Sequence, residues 1–436
     1  MALHVMEEAN HCLGCKKPRC QQGCPIHTNI PEVIRLLKEG RLNDAGWMLF
    51  ENNPLTTVCS LVCNHENQCE GHCVQGIKGR PVHFSVIESY ISTTYANQMV
   101  KGPAPANGRK AAVIGAGPAG LTVAIILARY GYKITIFDGK DQIGGVMRYG
   151  IPDFRLPDSV LDDFAYRHLE LKGIQFRPNT YIGNAITIDD LFRDGYQSIF
   201  VGAGLWKPRK LGVRGESLGH VCYAINYLAN PGAFRLGERI IVIGTGNSAM
   251  DCARTAIRHG ARYVSCVNLT DTLTASQYES SYARLEGVTF IMNKCTLEIR
   301  EDGVILADSQ KDEDGKIIPV PGTEKLYPCT GVIVAVSQGA ESNLISTTKG
   351  IDTIRSGLLT VDEDGHTSRP GVFAAGDAAS GARTVVEAVA NSKRVAESMH
   401  EYMQCLPMPV LTDYPDAPVV ESIEAAAQAE QILKES

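Results

Sequence analysis

The stretch AAVIGAGPAGLTVAIILA, residues 111–128, decides the fold class of this chain. An apolar run leads into the glycine pattern GAGPAG at 115–120, and a helical pattern of apolar residues follows it. In such a turn the first glycine permits the tight bend, the second lets backbone amides approach a pyrophosphate, and the third lets the helix pack on the strand. The next apolar run, YKITIF, ends on Asp138, an acid suited to a ribose hydroxyl. The pattern predicts a dinucleotide-binding strand–helix–strand unit.

The residues expected to contact this first dinucleotide are Gly115, Ala116, Gly117, Pro118, Ala119, Gly120 and Asp138. The alternative is a glycine-rich packing turn that binds nothing. A membrane span is a weaker interpretation of the same stretch, because glycines and a proline interrupt it and Arg109, Lys110 and Arg129 flank it. We therefore expect a buried strand, turn and helix.

The same design returns at RIIVIGTGNSAMDCARTAIRHGARYVSCVN, residues 239–268. A second internal similarity relates IFVGAG, which begins at Ile199, to IVAVSQG, which begins at Ile333. Internal similarity of this kind predicts two related Rossmann-like domains, the second inserted in the first. The residues expected to contact the second dinucleotide are Gly244, Thr245, Gly246, Asn247, Ser248 and Asn268.

Two dinucleotide sites in one chain favour FAD together with a nicotinamide cofactor, because hydride transfer to a flavin needs both. The strand YVSCVN ends at Asn268 with neither an arginine for a 2′-phosphate nor an acid for a ribose, although Asp271 follows closely. This favours NADH over NADPH as the co-substrate. The segment FAAGDAA supports the flavin, and its expected contacts are Gly376, Asp377, Thr384 and Val385.

Eight of the fourteen cysteines lie before residue 74, in the spacings Cys12-x2-Cys15-x4-Cys20-x3-Cys24-Pro and Cys59-x3-Cys63-x5-Cys69-x3-Cys73. No secretion signal precedes them, so we expect a cytoplasmic protein in which dense cysteines bind metal. Zinc usually takes paired C-x2-C knuckles, and only one such pair occurs here. The histidines near these cysteines could be zinc ligands, but histidines in such positions more often lie on the polar surface. The Cys-Pro ending is typical of ferredoxins, whose fourth cysteine serves the other cluster. Iron–sulfur is favoured over zinc and over unligated thiols.

The length and composition of the chain indicate a globular protein of more than one domain, and the patterns above divide it into three. The 436 residues carry a net charge of −6, which argues against a nucleic-acid surface. We expect an α/β fold, with a small α-helical iron–sulfur domain preceding the two Rossmann-like domains. The boundaries are the helical domain at 1–101, the FAD-binding domain at 109–228 and 340–405, the NAD(P)H-binding domain at 229–339, and a tail at 406–436.

Six segments carry a resemblance to a known family: the cysteine pattern, NNPLTTVCSLVC, GAGPAG, GGVMRYGIPDFRLP, GTGNSAMDCAR and GVFAAGDAASGARTVVEAV. The chain resembles, over residues 8–402, the family that contains the small subunit of bacterial glutamate synthase and the N-terminal half of dihydropyrimidine dehydrogenase. GGVMRYGIPDFRLP, at 144–157, is the most diagnostic, since no general property of a fold demands it. The resemblance implies FAD, a nicotinamide site and two [4Fe-4S] clusters.

The resemblance also implies roles for single residues. One cluster would take Cys12, Cys15, Cys20 and Cys73, and the other would take Cys24, Cys63, Cys69 and Glu88. Spacing alone would instead select Cys59 for the last position. The implied FAD contacts are Val62, Gly144, Gly145 and Arg155, and the implied nicotinamide contacts are Ala335, Val336 and Ser337.

Two departures from the family pattern matter. NADPH-using members carry an arginine pair where this chain has Asn268 and Leu269, which puts NADPH in doubt. No C-x2-C pair stands beside GTGNSA, and Cys252 is a lone thiol there, so disulfide exchange of the thioredoxin-reductase type is not expected.

These features predict an NAD(P)H-oxidising electron-transfer subunit. Hydride would pass to the flavin without any acid–base catalytic residue, and single electrons would then cross the clusters to a larger catalytic subunit or a ferredoxin-type carrier. A freestanding or bifurcating NAD(H):ferredoxin oxidoreductase is the first alternative. A redox-sensing or scaffold protein with structural metal is the second.

Overall fold

The computed structural model describes residues 2–96, 103–169 and 173–408. Its helices are α1 Ala2–His11, α2 Arg19–Gly23, α3 Ile30–Lys38, α4 Leu42–Asn52, α5 Thr56–Val62, α6 Phe84–Ala96, α7 Pro118–Arg129, α8 Val146–Tyr149, α9 Asp158–His168, α10 Ile188–Arg193, α11 Ala224–Ala229, α12 Asn247–Arg258, α13 Gln277–Leu285, α14 Asn343–Thr347, α15 Asp377–Ser380 and α16 Val385–Cys405. The predicted tail lies outside the described residues beyond position 408.

The strands divide among two five-stranded sheets and smaller antiparallel pairings. They are β1 Lys110–Ile114, β2 Lys133–Phe137, β3 Gln175–Arg177, β4 Ser198–Val201, β5 Lys207–Pro208, β6 Val221–Tyr223, β7 Arg239–Ile243, β8 Tyr263–Val267, β9 Thr289–Ile291, β10 Lys294–Arg300, β11 Gly303–Lys311, β12 Ile317–Pro319, β13 Lys325–Pro328, β14 Gly331–Val334, β15 Gln338–Gly339 and β16 Val372–Ala374.

The cysteine-rich domain, residues 2–96, is helical as predicted. Helix α3 forms because its apolar residues recur at helical spacing, which buries Ile30, Val33, Ile34 and Leu37 on one face. On its exposed face, the guanidinium of Arg35 donates a hydrogen bond to the carboxylate of Glu32. The cysteines lie in the two segments that join α1 to α3 and α5 to α6, with Cys59 on α5 itself. The helices therefore act as a frame for two cysteine-bearing loops.

The outer domain contains the parallel sheet β16-β4-β1-β2-β3. The quoted stretch supplies β1, the turn and α7, and the strand that ends before Asp138 is β2, as the sequence predicts. Strand β16 comes from the far end of the chain and pairs with β4. The outer domain is thus discontinuous, and a second domain interrupts it.

The inserted domain contains the parallel sheet β6-β14-β7-β8-β9, with β10 to β13 as an antiparallel addition. The chain enters it at β5 and leaves it at β15, and these two short strands pair with each other. The boundary predicted at residue 229 differs from the structure, because Val221–Tyr223 pairs with β14 and so belongs to the inserted sheet. Strand β6 is three residues long, too short to show a pattern in the sequence.

The cysteine-rich and outer domains share one apolar core. It includes Leu55 and Ile91 on one side and Ile125 and Met399 on the other. The Nζ atom of Lys393, on α16, also donates to the backbone oxygen of Asn52 at 2.6 Å. These contacts fix the cysteine loops relative to the first glycine turn. Among the helices of the described ranges, none combines the length and the apolar character needed to cross a membrane.

Candidate functional site

Two glycines of the first turn leave no room for a side chain. Gly115 has a φ of +102°, and a Cβ there would stand 2.4 Å from the oxygen of Gly202. A Cβ on Gly120 would stand 1.9 Å from the oxygen of Gly115, so the helix can approach the strand only because this residue is glycine. The backbone amide of Gly144 donates to Ala116 at 2.8 Å and brings the second glycine pair against the turn. Gly115 and Gly120 are therefore required by sterics within the chain itself.

Asp138 follows the last residue of β2, and its side chain bonds to the first glycine turn. Its carboxylate accepts the backbone N–H of Ala116 at 2.6 Å and that of Lys140 at 2.8 Å. Burial raises the pKa of Asp138 above its usual range. The carboxylate also lines the cavity above the turn, together with Tyr181 and Trp206. Neither aromatic residue was predicted from the sequence, because no local pattern marks them.

The cavity continues over the turn to the start of α16. This part is lined by Gly117, Gly145, Asp377, Thr384 and Val385. Burial raises the pKa of Asp377 to about 6. The capping pair Thr384 and Glu387 begins α16 at this point, so the positive end of a long helix faces the cavity. The predicted segments GAGPAG and FAAGDAA, far apart in sequence, thus meet around one space.

The second glycine turn borders a larger cavity of about 900 Å³. Gly244 has a φ of +127°, and a Cβ there would lie 2.3 Å from the oxygen of Ala335. The turn, residues 244–248, and the segment 335–337 line this cavity together, as predicted. The buried hydroxyl of Thr245 has no hydrogen-bond partner among the described residues. A polar ligand in the cavity would satisfy it.

The two cavities meet. Ile225, Gln338, Arg383 and Thr384 line both the cavity over the first turn and the cavity of the second turn. Gln338 belongs to β15, the strand on which the chain returns from the inserted domain. The space at the second glycine turn therefore adjoins the space over the first.

Asn268 lines the second cavity, but its side chain bonds within its own loop. The amide Nδ2 donates to the backbone oxygens of Thr270 at 3.2 Å and Thr272 at 2.7 Å. The sequence analysis missed Lys294, which lines the same cavity and whose backbone N–H donates to Asn268 at 2.9 Å. The Lys294 ammonium is paired with Asp308. Lys294 is the first residue of β10, well beyond the glycine motif in the sequence, so no pattern near that motif predicts its position in this cavity.

The first predicted group of thiols converges on one cavity. Cys12, Cys15, Cys20 and Cys73 all line it, and Cys69, assigned to the second group, lines it as well. Burial and the neighbouring thiols raise the pKa of Cys20 to about 11. All fourteen cysteines are free thiols. Four soft sulfur donors around one cavity suit an iron–sulfur cluster.

The second group is more deeply buried. Burial and the charges of Glu88, Glu70 and Cys24 raise the pKa of Cys69, and a hydrogen bond to Cys59 together with burial raises the pKa of Cys63. Glu88 is 6% exposed, and its Oε1 accepts the hydroxyl of Thr56 at 2.8 Å. Burial raises the pKa of Glu88 to about 7. Cys59 and Glu88 both belong to this group, so proximity alone does not choose between them.

Within the described ranges, no three His, Cys, Asp or Glu side chains stand close enough together to hold a single metal ion. The cysteines of the first group line a cavity instead. The chemistry of each set, three or four thiols with at most one carboxylate, fits a cluster that is ligated mainly by cysteine.

Two residues assigned to FAD by resemblance lie elsewhere. Arg155 does not line the cavities described above. Its Nη1 bonds to Asp251 at 2.8 Å and its Nη2 to Glu279 at 2.9 Å, both in the inserted domain. Val62 is partly buried and packs on the shared core at the end of α5. The contacts of both residues with FAD stay predictions.

Comparisons with known proteins match both parts of the chain. Residues 109–392 match the family described as pyridine nucleotide-disulphide oxidoreductase. Residues 2–100 match the family described as dihydropyrimidine dehydrogenase domain II, 4Fe-4S cluster.

Curated relatives cover nearly the whole chain. The glutamate synthase [NADPH] small chain of Escherichia coli is 32% identical over 91% of this chain and 91% of its own length. The NAD-dependent dihydropyrimidine dehydrogenase subunit PreT of E. coli is 31% identical over 92% of this chain and 95% of its own. Among solved structures, the thioredoxin reductase of T. acidophilum superposes with a TM-score of 0.54 at 22% identity, covering 68% of this chain and 99% of its own.

Proposed function

Because this chain belongs to the flavin- and iron–sulfur-containing oxidoreductase family that includes the glutamate synthase small chains, we propose that it oxidises NAD(P)H at bound FAD and delivers the electrons singly to a partner protein. The two matched families imply FAD, NAD(P) and a 4Fe-4S cluster as cofactors. The assignment of each cofactor to a cavity, and the order of electron flow, belong to the proposal.

One observation carries the proposal: the cavity of the second glycine turn opens into the cavity of the first at Ile225, Gln338, Arg383 and Thr384. A nicotinamide in the former and a flavin in the latter would be in contact without any domain movement. Such positioning supplies most of what a hydride transfer requires from a protein.

At this junction the chain would bind the two cofactors and set the electrostatic potential around them. FAD, when bound, accepts a hydride and releases single electrons. The N-terminus of α16, capped by Thr384, favours negative charge in the cavity. Ala335 and Ser337 lie where they can hold the nicotinamide against the junction. None of these roles requires a proton to be taken up or given by a side chain.

We place two [4Fe-4S] clusters in the cysteine-rich domain. Cys12, Cys15, Cys20 and Cys73 would hold the first cluster, around the cavity that they share. Cys24, Cys63, Cys69 and Glu88 would hold the second, for which the mutual electrostatic effects among Cys63, Cys69 and Glu88 give support. Cys59 is the competing fourth ligand.

NADH is the proposed co-substrate. Among the residues that the structure describes, the end of β8 offers no unpaired cation: the side chain of Asn268 bonds within its own loop, and the ammonium of Lys294 is paired with Asp308. A 2′-phosphate would therefore meet little positive charge. The names of the relatives point both ways, since the glutamate synthase chain is named for NADPH and PreT for NAD.

An electron-accepting partner follows from the names of the relatives, which are a small chain and a subunit of larger enzymes. The proposed acceptor is a larger catalytic subunit or a ferredoxin-type carrier. The cysteine-rich domain would be the exit, because it lies beyond the flavin cavity and exposes the first cysteine group.

An anaerobic titration tests the proposal. The purified holoprotein is titrated with NADH and, separately, with NADPH while the flavin and cluster absorbances are recorded. We expect NADH to bleach both absorbances and NADPH to do so more slowly. If neither nucleotide reduces the protein and metal analysis finds zinc, electron transfer is excluded and a structural metal site takes its place.

A glycine variant tests whether the flavin binds at the first glycine turn. Gly117 has a φ of −80°, and a Cβ there would meet only Gly145, at an ordinary 3.8 Å. Gly117→Ala should therefore fold but project a methyl group into the cavity, so that the flavin content falls. Gly219→Ala, at a position with open space around it, is the matched control and should keep its flavin.

A further inference from the structure

Exposed basic and apolar residues lie in the two loops that carry the first cysteine group. The rim is defined here as Leu13, Lys16, Lys17, Arg19, Ile77 and Lys78. Leu13 is 64% exposed and Ile77 is 67% exposed, so two large apolar side chains stand in solvent beside these cysteines. Neither side chain belongs to an apolar core of the described residues.

The two loops that carry the rim are bonded to each other. Leu13 and Arg19 line the same cavity as Cys73 and Gln75. The side chain of Gln75 donates to the backbone oxygen of His11 at 2.9 Å, and the imidazole of His11 lies 3.0 Å from the oxygen of Arg80. These bonds tie residues 11–20 to residues 73–80.

The rim is positive in a chain that is negative overall. Within the described part of the chain, Lys16, Lys17, Arg19 and Lys78 form no ion pair with an acidic side chain, whereas the nearby Glu32 and Glu39 are both bound by Arg35. The full chain carries a net charge of −6. A local patch of the opposite sign attracts and orients a negatively charged partner.

The rim also lies at the accessible end of the cysteine-rich domain. Cys24, Cys69 and Glu88 of the second group are buried, whereas Cys12, Cys15 and Cys73 of the first group are only partly covered. The first group is therefore the one that a second protein can approach.

We propose that the rim is the docking surface for an acidic one-electron carrier protein, with Leu13 and Ile77 as its apolar centre and the lysines and Arg19 as its charged border. This assignment rests on the function proposed above. For each NAD(P)H oxidised, two carrier molecules each gain one electron and one proton is released to solvent. An apolar centre within a charged border is the usual anatomy of a transient interface.

Charge reversal on the holoprotein tests the docking surface. The probes are a purified acidic [2Fe-2S] ferredoxin and cytochrome c, a basic one-electron acceptor. The dissociation constant for each is measured by calorimetry for the wild type and for the double variant K16E/K17E. The control is K311E/K316E, which makes the same change of charge on an exposed hairpin of the inserted domain.

We expect the wild type to bind the ferredoxin about tenfold more weakly when salt rises from about 20 mM to about 200 mM. K16E/K17E should bind ferredoxin at least about tenfold more weakly at low salt and cytochrome c more tightly, while the control behaves as wild type. Ile77→Ser should weaken ferredoxin binding about equally at both salt concentrations, since it removes apolar contact.

The proposal is overturned if the wild type does not bind the ferredoxin, if it prefers cytochrome c, or if K16E/K17E and the control weaken binding alike. Reduction of the flavin by NADH, followed in each variant with a small uncharged quinone as acceptor, separates the two proposals. A wild type whose flavin NADH cannot reduce contradicts the proposed function, whereas normal flavin reduction without docking contradicts only the rim.

Discussion

At the residue scale, the charge next to the second dinucleotide is set by a lysine and an aspartate. Lys294 adjoins the loop that should hold the ribose, through its backbone bond to Asn268. Asp308, from the neighbouring strand β11, neutralises it. Under the proposed assignment of the nicotinamide site, we expect this cross-strand pair to contribute to the discrimination between NADH and NADPH.

Asp308→Asn should release the ammonium of Lys294 toward a 2′-phosphate. We expect the KM for NADPH to fall about fivefold relative to that for NADH, which corresponds to about 1 kcal/mol for a partly exposed charge. Steady-state reduction of an artificial acceptor with each nucleotide measures this ratio.

Lys294→Gln should change the ratio in the opposite direction, and Lys311→Gln, farther along β11, serves as the control. An unchanged ratio in both Lys294→Gln and Asp308→Asn would show that the pair does not contact the nucleotide.

At the element scale, two helices compete to supply the last ligand of the second cysteine group. Helix α5 carries Cys59 and helix α6 carries Glu88, and both side chains are buried. A buried carboxylate whose described hydrogen-bond partner is the hydroxyl of Thr56 is costly unless something else uses its charge. A cluster iron would provide that use.

Glu88→Ala should therefore lose about half of the bound iron, while Cys59→Ala should keep it, because only the former removes a ligand. Iron analysis and electron paramagnetic resonance of the reduced protein measure the difference.

Thr56→Val removes the hydroxyl partner of Glu88 without removing the carboxylate, and Cys266→Ala removes a buried thiol of the inserted domain. Both should retain full iron. Loss of iron from Cys59→Ala alone would instead support the ligand chosen by spacing.

At the scale of the whole molecule, the diagnostic motif GGVMRYGIPDFRLP joins domains. Its Arg155 reaches Asp251 on α12 and Glu279 on α13 of the inserted domain. The ring of Phe154 lies under the guanidinium of Arg258, with 3.9 Å between the ring centre and Cζ. Helix α12 begins at the second glycine turn, so this network sets the position of that turn relative to the outer domain.

Arg155→Ala should destabilise the protein by about 3 kcal/mol, because it leaves the buried carboxylate of Asp251 without its ion-pair partner, whereas Glu279 keeps its pairing with Arg254. Urea unfolding of flavin-free protein measures the loss. Arg193→Ala breaks an exposed ion pair with Asp190 and should change the free energy of unfolding by less than about 0.5 kcal/mol. Unchanged stability together with weaker FAD binding would support the flavin contact implied by the family resemblance.

Much of this architecture follows from the sequence by itself. The two glycine turns, the strands before them and the helices after them depend on local sterics, which a short stretch expresses completely. The cysteine spacings and the family motifs likewise identify the cysteine-rich domain and its class of cofactor. The boundary near residue 221 was missed, because a three-residue strand has no periodicity of its own.

Only the tertiary structure decided how these parts meet. The junction at Gln338 and Thr384, the pairing of Lys294 with Asp308 and the bonds of Arg155 all join residues at least 14 positions apart in the chain. No local propensity encodes such contacts, because they arise when sheets and helices pack. The sequence thus determined the class of cofactor to expect, and the packing of the domains determined which residues line each cavity.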